Sequence, residues 1–419
     1  MMKYLFFLGI CLLMVACQQK APTEKEIATR EVDQALAEVV ETHGLMGLSV
    51  ILIDQGQTVY EGNFGTADLE RNLPVNENTV YRIASISKTL TALALLQLVD
   101  AGKVDLSTDV SEYLGWTLRN PAHPTVPITL DLLLSHQSSI RDGEGYRKFS
   151  QNMINDQLHI QELLSSAGAY FTEDMFDDRA PGEYFSYTNC TWGIIAAIIE
   201  LSSGERFDAY CKAHIFEPLG IGASFNVRDV EDLNQLAVLY RYKDSMWVSQ
   251  ADNYGGELPE SRAYEAYEPG QNGLIFGPQG SLRASARDLA TLIQFFLEGG
   301  KWNGQQLISP ESLALMMREE WVYNGSNGDT WEEFWWAYGY GMHHVTNQDS
   351  ADIIFPDRKM SGHPGIAYGL LSDMYFDVAT QSGVVFITNG SKYPYGYGQA
   401  TTFYQVEEDV FQVLFPYLN

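Results

Sequence analysis

Residues 81–98 read Tyr81-Arg82-Ile83-Ala84-Ser85-Ile86-Ser87-Lys88-Thr89-Leu90-Thr91-Ala92-Leu93-Ala94-Leu95-Leu96-Gln97-Leu98. The apolar run after Lys88 has the length and composition of a buried helix, and Gly102 stands where such a helix would end. Ser85 falls at or near its N-terminus. Serine and lysine three positions apart share one helix face, so the Lys88 amine can reach the Ser85 hydroxyl. A serine hydroxyl is a poor nucleophile until a base takes its proton. Lysine is that base only where its surroundings lower its pKa, as a buried helix start does. Ser-x-x-Lys alone is common and carries little weight.

Two further segments gain meaning beside it. Pro181-Gly182-Glu183-Tyr184-Phe185-Ser186-Tyr187-Thr188-Asn189 precedes an apolar run from Trp192 to Ile199. Tyr187 and Asn189 thus sit on a loop before a second helix. A phenol near an ammonium is expected to have its pKa lowered and to relay protons. Asn189 can hydrogen-bond both a lysine amine and a substrate amide. Farther on, Gly362-His363-Pro364-Gly365 leads into Ile366. A strand with a hydrogen-bonding residue and a glycine can lie close beside a substrate, because glycine has no side chain to obstruct the approach. Its backbone N–H groups, with those of the nucleophile, can form an oxyanion hole.

In this order the three segments resemble the serine β-lactamase and penicillin-binding protein superfamily, especially the class C β-lactamase and related esterase branch. Ile128 to His136 resembles its Leu-Leu-x-His segment, Ile215 to Ile221 its Pro-Leu-Gly turn, and Gly280 to Ala290 a further helix of that branch. The resemblance runs from about residue 30 to the C-terminus. It implies that Ser85 is acylated and that Lys88 and Tyr187 shuttle its proton. It further implies that Asn189 holds Lys88 and substrate, that His363 and Gly365 line the substrate, and that the N–H groups of Ser85 and Ile366 form the oxyanion hole. His363 takes the place of the family's Lys-Thr-Gly lysine. Pro364 replaces a residue whose hydroxyl often helps hold a substrate carboxylate, and proline has neither hydroxyl nor N–H. Both changes weaken recognition of the carboxylate of penicillins and D-Ala-D-Ala peptides, and favour esterase, peptidase or acyl-transfer chemistry.

Outward from these segments, helix and strands recur at both ends of the chain. A helix is expected from about Glu24 to His43. Strands follow at Leu48–Ile53 and Thr58–Phe64 around the turn Asp54-Gln55-Gly56-Gln57. Asp373–Asp377 and Val384–Thr388 read as strands, and Thr401–Phe415 as a helix. From about Leu90 to Leu297 the clear periodic segments are helical. The expected fold is α+β and β-lactamase/transpeptidase-like: an antiparallel sheet flanked by N- and C-terminal helices, with a mainly helical subdomain inserted at about 90–297. Tyr240–Phe276 and Trp321–His344 are expected as long aromatic loops that carry specificity or decorate the surface.

Lys3 and the apolar run Tyr4–Val15 read as an export signal, ending in Met14-Val15-Ala16-Cys17, which resembles a bacterial lipobox. The expected organisation is a signal peptide over 1–16, a lipidated Cys17 and tether over 17–26, and one hydrolase domain over 27–419. The protein is thus expected to be an exported lipoprotein of the periplasm or cell envelope, touching the membrane only through its lipid. A formal charge of −28 argues against nucleic acid as a partner. A small molecule or peptide is the expected substrate. Cys190 and Cys211 are expected as buried thiols. His136 is expected to be a packed, hydrogen-bonded residue. The adjacent His343 and His344 do not form a metal grip, and neither metal nor cofactor is expected. Three functions stay open: hydrolysis of an ester, amide or D-amino-acid peptide; acyl transfer to an alcohol or amine; and a non-catalytic penicillin-binding or sensor role.

Overall fold

A computed structural model describes residues 24–156, 158–259, 264, 267–347, 352–392 and 396–419. The expected signal peptide and the lipidation site Cys17 lie outside the described residues. No described helix is long and apolar enough to cross a membrane.

Helix α1 (Glu24–His43) leads into strands β1 (Gly47–Asp54) and β2 (Gln57–Asp68), which form a hairpin. Gln55 at φ 50° and Gly56 at φ 73° make the turn between them. Strands β3 (Ser361–Ala367), β4 (Leu370–Asp377) and β5 (Ser382–Thr388) come from the far end of the chain, and β5 pairs with β1. Every pairing in this sheet is antiparallel. Two-residue strands extend both edges, with Leu73–Pro74 beside β2 and His343–His344, Ala337–Tyr338 and Trp321–Val322 beyond β3.

β1 is buried along its whole length because both faces of the sheet are covered. Its side chains alternate between two cores, as the period-two geometry of a strand requires. Val50 and Leu52 join Leu36 of α1 and Val410 of the C-terminal helix Gln405–Leu414. Ile51 and Ile53 join the helical part of the chain, including Leu292 and Phe296 of the helix Ala286–Leu297. The unbroken run Leu48–Ile53 therefore reflects a central strand covered on both sides.

Helix α2 (Ser87–Asp100) runs through this second core and packs against α3 (Cys190–Ser203). Both are apolar nearly all round and almost wholly buried, as fits helices inside a domain. Two expectations of irregular structure are corrected here. The region from Tyr240 opens with a β-hairpin, Leu239–Lys243 against Met246–Ala251. The region Trp321–His344 contributes the short strands that widen the main sheet. Neither is a plain loop, because their backbone groups find partners in ladders too short to show periodicity.

Candidate active site

Ser85 lies in a single 3-10 turn, Ala84–Ile86, just ahead of α2. Ala84 takes a left-handed backbone conformation at φ 49°, which costs a non-glycine residue about 1–2 kcal/mol. Neighbouring contacts hold it there. Ser87 Oγ donates to Ala84 O at 2.6 Å and accepts from Leu282 N at 3.0 Å. Upstream, Val80–Arg82 pairs with Arg283–Ser285, so the turn is fixed on both sides. The half-buried Ser85 hydroxyl is presented at the helix start, where the dipole favours negative charge.

Lys88 is fully buried one turn on. Its Nζ lies 3.1 Å from Ser85 Oγ, 2.9 Å from Asn189 Oδ1 and 2.9 Å from Gln279 O. Burial lowers its pKa to about 7, and the charge of Asp142 partly opposes that shift. Three acceptors satisfy the ammonium's donors, yet none of them carries a charge. The amine is therefore poised between its two protonation states near neutrality.

Asp142 is the residue the sequence left unnoticed. Its carboxylate accepts from Asn189 N at 2.8 Å and Cys190 N at 2.9 Å, capping α3 from a distant loop. It also accepts from Asn189 Nδ2 at 2.8 Å, which turns Asn189 Oδ1 toward Lys88. Asp142 is followed by Gly143, so the local sequence reads only as a turn. Nothing in it points to a helix that starts 48 residues on.

Tyr187 stacks on Trp335 with ring centroids 5.1 Å apart, and Lys88 Nζ lies 4.8 Å from its ring centre. Its hydroxyl bonds to Ser85. The phenol's pKa is raised, mainly by burial, although the bond to Ser85 pulls it down. This corrects the expected lowering: desolvation outweighs a lysine that is itself losing its charge. Behind Tyr187, His136 lies 4.6 Å away ring to ring, and its Nδ1 accepts from Thr188 N at 3.1 Å. Burial and Lys88 push the His136 pKa well down, so the ring is a neutral packing group.

His363 is also fully buried, 6.0 Å from Tyr187 between ring centroids. Its Nδ1 lies 2.6 Å from Pro364 O and its Nε2 3.0 Å from Tyr338 OH. A carbonyl only accepts, so Nδ1 carries the proton and Nε2 accepts from the phenol. Burial, with Lys88, holds its pKa well below the usual range. In place of the expected substrate-facing group, His363 is a neutral ring with both nitrogens already bonded. Its contacts fix Tyr338, which packs against His136 and Trp335.

Gly365 is required for a reason other than substrate approach. A Cβ there would stand 2.5 Å from Ile83 O and 3.2 Å from Ala84 Cβ. The strand therefore lies directly on the nucleophile turn. Beyond Gly362 no described strand covers the outer edge of β3, which leaves the next-door Ile366 37% exposed beside that turn. Cys190 and Cys211 are free, buried thiols. Among the described residues no group of three or more His, Cys, Asp or Glu side chains could hold a metal.

A serine, a buried lysine, a tyrosine and an asparagine thus meet at one turn, on a sheet built from both chain ends. Known proteins carry the same arrangement of chain. Esterase EstB of Burkholderia gladioli is 27% identical over 383 residues, covering 85% of this chain and 88% of its own. Two Bacillus subtilis (strain 168) proteins named for penicillin binding, PbpX and penicillin-binding protein 4*, are 29% and 28% identical. The matched stretches span only 53% and 38% of those two proteins' lengths. In structure, the octameric penicillin-binding protein homologue from Pyrococcus abyssi superposes with a TM-score of 0.67 at 27% identity, over 87% of this chain and 74% of that one. The Beta-lactamase family model matches residues 32–403, nearly the whole described fold, and the chain belongs to that family.

Proposed function

We propose that the protein is a serine hydrolase that passes an acyl group from an ester, amide or D-amino-acid peptide to water through Ser85. One observation carries this reading: a fully buried amine with a pKa near 7, 3.1 Å from a serine hydroxyl on a strained helix start. Neutral Lys88 takes the Ser85 proton as Oγ attacks the carbonyl carbon. The N–H groups of Ser85 and Ile366 receive the oxyanion. Tyr187, protonated at neutral pH, donates its hydrogen to the leaving group and is re-protonated by the Lys88 ammonium. Water, activated through the same pair, then releases the acid. Asn189 keeps the Lys88 amine on this path. Similarity to a protein named an esterase along most of the chain agrees with ester substrates. The lipobox-like Met14-Val15-Ala16-Cys17 extends the proposal to an exported enzyme tethered at Cys17.

Intact mass after incubation with a fluorophosphonate and, separately, a penicillin tests this on wild type and Ser85→Ala. Wild type gains the probe mass and Ser85→Ala does not. A stable adduct on wild type with no turnover of any activated ester would instead make the chain a sensor. Labelling of both proteins alike would remove Ser85 from the mechanism.

A further inference from the structure

Arg82 stands opposite Arg283 in the short ladder just before the nucleophile. Like charges directly across a ladder repel. Asp252 answers one of them, bonding Arg283 through both oxygens at 2.7 and 3.1 Å. Arg82 has no ion pair among the described residues. Its Nε and Nη2 donate to Gly280 O and Ser281 Oγ at 3.1 and 2.8 Å, and its Cζ lies 5.1 Å from the Tyr368 ring centre. Burial, foremost, and the Arg283 charge disfavour this cation, and the charge of Asp252 offsets them only in part. Such a guanidinium is costly to keep unless something negative meets it.

A cavity of about 410 Å³ opens at that point, walled by Arg82, Arg283, Arg228, Tyr146, Tyr368 and Gln279, with no carboxylate among the described lining residues. In a chain of net charge −28, that is a marked local reversal. The Tyr146 hydroxyl accepts from Gln279 Nε2 at 3.4 Å and bonds to the Ser150 side chain, so it adds a polar group to the cavity wall. Across Tyr368, a second cleft of about 420 Å³ is lined by Arg241 and Lys243, again without a carboxylate among its described lining residues. The first cavity meets the Ser85–Lys88 group through one wall residue, Gln279, whose carbonyl oxygen accepts from Lys88 Nζ. It shares no lining residue with the aromatic cluster around Tyr187, where the leaving group must lie to be protonated.

We propose that this cavity receives the acyl part of the substrate and that Arg82 in its wall binds a carboxylate of that part, so the preferred substrates are esters or amides of dicarboxylic or similarly anionic acyl groups. This rests on the hydrolase reading above. A planar guanidinium matches a carboxylate, and the aromatic walls take up the methylene chain.

The test compares mono(4-nitrophenyl) adipate, whose acyl chain ends in a carboxylate, with neutral 4-nitrophenyl heptanoate. Wild type should favour the adipate in kcat/KM by about tenfold or more. In Arg82→Gln that ratio should fall to near one, whatever happens to the absolute rates. A wild-type preference for the heptanoate overturns the proposal without recourse to any variant. So does a ratio that survives in Arg82→Gln. Calorimetry of free adipate on Ser85→Ala, with and without Arg82→Gln, separates the two readings. Adipate binding that depends on Arg82, with neither ester turned over, keeps the pocket and sinks the hydrolase. Turnover of both esters at equal efficiency keeps the hydrolase and sinks the pocket. Neither turnover nor binding sinks both.

Discussion

Lys88 gains its role from where it is buried. An amine in water would be protonated at neutral pH and could not act as a base, whereas loss of solvent brings its pKa to about 7. In the proposed mechanism the reactive form is the neutral amine, so kcat/KM should fall about tenfold for each pH unit below 7. Asp142 opposes the shift by stabilising the ammonium. Asp142→Asn should therefore move this acid limb to lower pH, while loosening Asn189 lowers the plateau. A limb that stays in place or moves upward in the pH–rate profile would mean that Lys88 is not the group being titrated. Ser85, Lys88, Tyr187 and Asn189 were legible in the sequence because each pair is separated by less than one helical turn. Asp142 was not, since it meets Asn189 only after the chain has folded back. The sign of the Tyr187 shift was misjudged for a related reason. Spacing reveals a neighbouring charge, but it does not reveal how much water is excluded.

Between elements, the decisive contact is strand β3 against the Ser85 turn. Gly365→Ala would force a methyl group to within 2.5 Å of Ile83 O, so strand or turn must shift. Overpacking of this kind costs about 1–3 kcal/mol. Displacement of about 1 Å at a reacting group costs on the order of a hundredfold in rate. The variant should melt only slightly earlier yet lose about two orders of magnitude in kcat/KM. Equal activity would show that the oxyanion donors do not depend on this packing. The long elements were legible: α1, the β1–β2 hairpin, α2, α3 and the terminal helix all lie where periodicity suggested them. The two-residue strands at His343 and Ala337 were not, because a ladder this short has no period to detect. Those strands carry Tyr338, which bonds to His363, so the rear wall of the site was the least readable part of it.

Across the whole molecule, the sheet ties the early β1–β2 hairpin to strands β3–β5 from the far part of the chain. Asp373 of β4 and Glu407 of the C-terminal helix are buried close together. Burial raises both carboxyl pKa values, that of Glu407 to about 7. The pair keeps a proton that the unfolded chain releases near pH 4.5, the usual glutamate value. Its contribution to stability is therefore complete below that pH and is lost as pH rises through about 7. Glu407→Gln cannot ionise, so the melting temperature of wild type minus that of the variant should drop by about 2 °C or more between pH 5 and pH 8. A difference that is flat or rises with pH would place the proton elsewhere. This partnership was invisible in sequence, where both residues pass for members of a solvated acidic surface. The pairing of β1 with β5 has a consequence for how the protein is made. On the ribosome the β1–β2 hairpin emerges well before its partner β5 and must wait, its central edge unpaired, until the chain has been synthesised through Thr388. Completion of the sheet is thereby deferred until β5 emerges, and the nascent chain spends that interval with an apolar strand open to chaperones or to aggregation.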